Sequence, residues 1–299
     1  MSEIVLPGDR PVEPTATVSR PHTFWQVWRR FRRNRLAMLA LLFILLQTLV
    51  AIFAAQVAPY DPYQADYMAT WQLPSRAHWL GTDDLGRDVL SRLVYGSRVS
   101  LSVGVLSQVV IVLIGLPLGA LAGLIGGRLD YTLMRVIDVF SSIPTLLFYT
   151  LMLVALGPGF GNIIIAMAIT GWIGIARLVR GQVLSLKETD YVRAARAMGG
   201  HTRHIVMTHL IRNAMTPVIV AFALGVPGAM FAEAGLSFLG LGIASPQTSW
   251  GQMIGLYQGY IQTSWHLTLF PALVLALTLL AWFALGDGVR DALDPTLRV

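Results

Sequence analysis

The chain has no cysteine, a single lysine, and charge on only 13% of its 299 residues. Without cysteine there is no disulfide framework, no thiolate metal site and no thiol nucleophile. The one lysine, Lys187, follows Val-Leu-Ser-Leu. The phosphate-cradling GxxxxGK[ST] loop is therefore absent, and the chain is not itself a P-loop ATPase. HExxH and GxSxG patterns are missing too, which sets aside zincin-type proteases and α/β-hydrolases. Soluble domains carry roughly 25% charged residues, so about half the usual charge is present.

What fills the space is apolar: 55% hydrophobic residues, with a mean hydropathy of +0.62. Several runs exceed the roughly 18–20 residues needed to cross a bilayer. The pattern predicts an all-α polytopic membrane protein with six transmembrane helices. They cover about 37–58, 99–125, 131–156, 162–179, 216–236 and 267–285. Residues 1–21 are polar and proline-containing without periodicity, as in a disordered tail. No cleaved signal peptide is expected at the start, and the segment from Ala37 reads as a retained anchor. Between them, Phe24, Trp25, Trp28 and Phe31 recur at helical spacing beside Arg29, Arg30, Arg32, Arg33 and Arg35. That composition suits a helix lying in the membrane interface. In the polar loop 58–98, Thr82 or Asp83 can cap a helix through about Tyr95.

The net charge of +6 is a topology signal rather than a nucleic-acid surface. Eighteen Lys and Arg fall on one side of the six-span arrangement and four on the other. The positive-inside rule then puts both termini and the central loop in the cytoplasm. Glycines at 115, 119, 123 and 127 recur every four residues and form a strip where another helix can approach closely. Packing is the first reading of that strip, and a backbone-lined substrate path the second. Pro117 beside it can bend the helix.

Ionisable groups at membrane depth are costly and point to function. Asp138 stands one turn from Arg135 and pairs with it at i,i+3. Asp287 lies at the wetted end of the last span. Glu233 has no charged neighbour in sequence. It can line a translocation path, meet a partner chain, form a gate or serve structure alone. His201, His204 and His209 lie in the central loop, where a polar helix is a better reading than a metal site. So few buried acids and histidines argue for an energy source outside this chain.

The central stretch from Arg177 to Asn213 holds six arginines and Lys187 against Glu188 and Asp190. Its middle, YVRAARAMGG, is alanine-rich and ends in a glycine pair, the makings of a short helix with an abrupt stop. Such a helix is shaped to enter another protein's groove.

This stretch resembles the cytoplasmic EAA motif of binding-protein-dependent ABC importer permeases. Ala194, Ala195 and Gly199 match the pattern. Arg193 replaces the usual Glu, and Arg212 stands where many members have Pro. LGTDDLGRDVLSRLVYGSRVSL from Leu80, AEAGLSFLGLG, SWGQMI and GDGVRDALDP are similar to the C-type permease of dipeptide, oligopeptide and nickel importers. Together the matches cover nearly all of 59–295.

The resemblance implies a non-catalytic subunit of the bacterial inner membrane, with the MetI-like type I importer fold. It implies a tail and interfacial helix at 1–36, a first transmembrane helix and periplasmic loop at 37–98, and a five-helix core at 99–299 with a coupling loop at 180–215. Expected partners are a B-type permease, two cytoplasmic ATPase subunits and a periplasmic binding protein. ATP and Mg belong to those ATPases, and this chain is expected to need no cofactor or metal of its own. The coupling helix would be Tyr191–Met198, with Arg193, Arg196 and Arg203 at its rim, Ala194, Ala195 and Ala197 giving close approach, and Gly199 the sharp exit. Peptide fits the resemblance best as substrate, with nickel and other small solutes open. A secondary carrier working without nucleotide is the alternative class.

Overall fold

The computed structural model describes residues 24–198 and 212–294. The polar tail, Gly199 and the histidines of the central loop lie outside them. Among the described residues eleven α-helices carry the fold and no strand forms. A lone bridge joins Thr82 and Asp88.

Helix α1, Phe24–Phe31, is the expected amphipathic segment. It packs Val27, Trp28 and Phe31 against Ala37 and Ala292, so it rests on the end of the last helix. The Arg30 guanidinium also donates to the Asp294 carbonyl at 3.1 Å. Helix α2, Arg35–Ile52, starts at Asn34, whose side chain accepts from the Ala37 amide. The expected first span is interrupted at Phe53, and a single turn, α3 (Ala54–Val57), follows. Arg98 closes α2 by donating from Nε to the Ala51 carbonyl at 2.5 Å and from a terminal nitrogen to Ile52 at 2.7 Å. Cationic donors at the last carbonyls of a helix satisfy them and complement the dipole.

Helix α4, Val89–Ile125, is 37 residues long and carries Pro117 inside it. At 1.5 Å per residue that is about 56 Å, well beyond the roughly 30 Å of hydrocarbon. The separate short helix expected before the second span is instead its first turns. The cap is Asp88, not Thr82 or Asp83, because the Asp88 carboxylate accepts from the Ser91 amide and hydroxyl at 2.8 and 2.7 Å. Asp83 is occupied elsewhere: it accepts from the Leu85 and Arg87 amides and from Arg87 Nε at 2.7 Å. Arg92 of α4 lies 3.2 Å from the same carboxylate.

The expected third span is not one helix. It divides into α5 (Gly127–Ser141) and α6 (Thr145–Leu156), bent by 83°. Pro144 stands at the break. It has no N–H to continue the ladder, and a proline disfavours the helical conformation for the residue before it, here Ile143. Helix α6 alone is about 18 Å long, too short to cross. Among the described residues there are thus five helices apolar and long enough to span a membrane, or six with the bent pair taken as one.

Helix α7 (Phe160–Lys187) runs parallel to α4. Gly115, Gly119 and Gly123 face Trp172 and Ile175, then Ala176, then Arg180 and Val183 in rising order. A Cβ on Gly119 would strike the Ala176 backbone. The glycine strip is therefore a packing surface, and it stops at Gly123, since Gly127 sits at φ +58° with open space around it. After α7 come α8 (Asp190–Ala197), α9 (Arg212–Phe238), α10 (Trp250–Tyr257) and α11 (His266–Leu293). Helix α9 runs antiparallel to α4, with Gly104 against Val226 and Met230. Helix α11 closes the bundle, with Gly286 on Leu224, Gly288 on Ala37, and Thr278 hydrogen-bonded to Gln47.

Helix α10 is fastened both to α4 and to the 58–88 loop. Its Trp250 donates its ring N–H to the Leu93 carbonyl at 3.0 Å and its amide to Ser100. The Tyr257 hydroxyl donates to Asp84 at 2.6 Å. Burial, then the Asp83 carboxylate, pushes that hydroxyl well above the usual tyrosine range, so it remains a donor. Gly86, at φ +74°, takes a left-handed turn against the Asp66 carbonyl where no side chain fits.

Two stability outcomes follow from these contacts. Gly119→Val forces α4 from α7 and should destabilise the protein by about 1–3 kcal/mol, whereas Gly181→Ala, with open space at its Cβ, should not. Thermal unfolding in detergent distinguishes them. Asp83→Ala strands two buried guanidiniums and should cost about 3–5 kcal/mol in the same assay.

Candidate functional site

Helix α8 is joined to α7 by Glu188 and Thr189 alone. The Thr189 carbonyl accepts from the Val192 and Arg193 amides, each at 3.1 Å, and starts the helix. Asp190 occupies the first turn, where a negative charge complements the helix dipole. Val192 is wholly buried in a cluster with Ile111, Ala120, Val179, Val183 and Val218. Through this cluster Val192 joins α8 to side chains of α4, α7 and α9. The opposite surface is open: Arg193, Ala194, Ala197 and Met198 are exposed, Met198 to 82%. Arg193 reaches back to Glu188 at 3.2 Å, an exposed pair of small energetic weight. Tyr191, Ala195 and Arg196 lie on the same helix. Gly199 and Arg203 lie outside the described residues, and Arg212 opens α9.

Just above α8, two ion pairs link α7 to α5. Arg180 grips Asp130 with both nitrogens, at 2.5 and 2.6 Å. Such fork-to-carboxylate pairs are the strongest and most directional kind. Asp138 stands 3.6 Å from Arg135, the pair expected from spacing, and also 3.1 Å from Arg177 across the helix interface. In the sequence Arg177 and Arg180 register only as topology charges. Their spacing of three beside the aspartates of α5 was the available signal.

Glu233 is fully buried in α9. One carboxylate oxygen accepts from the Ser237 and Ser249 hydroxyls, both at 2.7 Å. Ser249 is also the N-cap of α10, so this carboxylate joins α9 to α10. Its second oxygen has no hydrogen-bond partner among the described residues.

A partly open cavity of about 360 Å³ lies between α4, α6, α7 and α9. Its wall includes Gly171 and Gly174 of α7 and Gly225 and Gly228 of α9. Gln108 and Tyr149 supply the only polar side chains, and Glu233 is not among the lining residues. The cavity was not legible in sequence, because it needs four helices brought together. Among the described residues no three His, Asp or Glu converge as metal ligands.

Comparison with known proteins gives these elements their context. Residues 115–299 match the family described as binding-protein-dependent transport system inner membrane component. Residues 23–74 match the N-terminal TM domain of oligopeptide transport permease C. The chain is 49% identical to the dipeptide transport system permease protein DppC of Bacillus subtilis (strain 168), over 75% of this chain and 71% of that one. It is 45% identical to the oligopeptide transport system permease protein OppC of the same organism, over 80% and 78%. It is 41% identical to the nickel transport system permease protein NikC of Escherichia coli (strain K12), over 80% and 86%. A solved inward-facing MetNI methionine ABC transporter shares the fold, with a TM-score of 0.58 at 23% identity over 69% of this chain and 97% of that one. An all-helical fold of five or six spans, the two family matches and relatives of this identity lead to one conclusion: the chain belongs to the binding-protein-dependent transport system inner membrane component family, as a C-type permease of the dipeptide, oligopeptide and nickel transporter group.

Proposed function

We propose that this chain forms half of the translocation pore of an ATP-driven importer of di- and oligopeptides, and that α8 couples the pore to a cytoplasmic ATPase. The observation that carries this reading is the two-faced attachment of α8. Val192 is buried among side chains of three helices, while Arg193, Ala194, Ala197 and Met198 stand free on the other side. A short helix held on one face and open on the other transmits a push from its open side as a rigid-body motion. The peptide assignment draws on the dipeptide and oligopeptide permeases among the relatives. A nickel permease matches at 41% identity and favours a second reading, in which the cargo is a metal ion and the machinery is the same.

In this reading the chain catalyses nothing. Two ATPase subunits bind ATP and Mg, a B-type permease completes the pore, and a periplasmic binding protein delivers cargo. Both termini and α8 lie in the cytoplasm, on the side with the excess of Lys and Arg. ATP-driven closure of the ATPases moves α8, and α7 carries the motion to α5 through Arg180 and Asp130. The two conformations must differ in their contact with the ATPase for coupling to occur. Glu233 serves as the fastening between α9 and α10.

Reconstitution of the complete complex tests the docking role. Ala194→Trp places an indole on the open face of α8, and Ala195→Trp and Gly199→Val alter the same helix and its exit. Each should insert normally yet lose peptide uptake and substrate-stimulated ATP hydrolysis together; normal uptake in all three would sink the assignment. For the α7–α5 tie, Asp130→Arg and Arg180→Asp should each impair uptake, and the double exchange should restore much of it. A double variant no better than either single one would show that the pair carries no motion.

A further inference from the structure

Gly174 of α7 and Gly228 of α9 have no packing reason to be glycine. Both lie inside helices, neither has a left-handed φ, and a Cβ at either would meet nothing within 4 Å. Their neighbours differ: a Cβ on Gly171 would strike Ile111, and one on Gly225 would strike the Gln108 amide. Glycine within a helix is less stable than alanine. Positions 174 and 228 thus give up helix stability and gain only open space in front of their backbone. That space is the cavity between α4, α6, α7 and α9.

Gln108 is the independent observation. Its side chain is 8% exposed, borders the same cavity, and makes no hydrogen bond among the described residues. Its amide atoms are not among the enclosed, unpartnered ones, so the amide opens onto the cavity and is available to whatever occupies it. A glutamine amide offers one acceptor and two donors on one planar group, the complement of a peptide bond's N–H and C=O. The lining includes no charged side chain to offset a bare cation or a carboxylate.

We infer that this cavity is a binding point on the path of an amide-bearing solute, with Gln108 pairing to its amide and Gly174 and Gly228 leaving room for its side groups. The inference rests on the reading of this chain as half of an importer pore. It adds a site and a rule of selection: amide yes, side-chain identity no.

The test uses the complete complex in liposomes with labelled Ala-Ala, Gly-Gly and Phe-Phe as probes. Gly174→Leu and Gly228→Leu start from a Cβ that meets nothing within 4 Å and extend into the cavity, so the complex should assemble with an undiminished unfolding temperature and lose uptake of all three. Gly174→Ala and Gly228→Ala should raise the unfolding temperature and slow Phe-Phe more than Gly-Gly. Gln108→Leu should slow dipeptide uptake about fivefold, the weight of one hydrogen bond, and Gln108→Asn should recover part of it. Unchanged uptake in both leucine variants would overturn the path. Equal rates for Gln108→Leu and the unaltered protein would overturn the amide pairing. If the unaltered complex moves no dipeptide with ATP, the importer reading for peptides fails instead, and that result is separate from either.

Discussion

Helices α4 and α7 meet backbone to backbone, and most of the architecture follows from that contact. Lipid tails supply no hydrophobic drive between apolar helices, so association depends on close van der Waals approach. Gly115, Gly119 and Gly123 permit it along about three turns of α7, from Trp172 to Val183. The pair is parallel, and parallel neighbours in one chain require a return crossing. Helices α5 and α6 make that crossing with an 83° bend at Pro144. The bend leaves α5 lying against α7, within reach of Arg177 and Arg180.

Polar fastenings sit at the two ends of this apolar centre. At one end Asp83, Arg87, Arg92 and Asp88 lock the loop 58–88 onto the start of α4, and Trp250 and Tyr257 tie in α10. At the other, Asp130 and Arg180 join α5 to the part of α7 that carries α8. Between them the middle of the bundle is free of ion pairs among the described residues. Glycines have two uses there. On α4 they bring helices together; at Gly174 and Gly228 they hold a wall back from a cavity. A spacing rule alone does not distinguish the two, since each presents as a small residue at helical spacing.

The apolar spans other than the third, and the position of α8 along the chain, were legible because they rest on averages over many residues. An apolar run of twenty residues, or alanines closed by a glycine pair, declares itself without knowledge of its neighbours. The misplaced boundaries have local causes. Asp83 was a reasonable cap by residue type, but its carboxylate is taken by Arg87 and Arg92, leaving Asp88 to cap α4. The 131–156 span is continuous in hydropathy and broken in geometry, because one proline outweighs the apolar residues around it. Glu233 stood out as an isolated acid, and its partners, Ser237 and Ser249, include one sixteen residues away on the cap of another helix.

By itself the sequence determined the apolar or polar character of each segment, the all-helical class, the family, and the alanine-rich helix α8. Those are properties of composition and of order along one chain. Tertiary structure alone decided which face of α8 is held, which arginines of α7 find aspartates, and which glycines border empty space. Each of these depends on what lies opposite, across helices dozens of residues apart. Gln108 shows the difference most plainly: in sequence it is one polar residue in an apolar run, and in the fold its amide faces a cavity built by four helices.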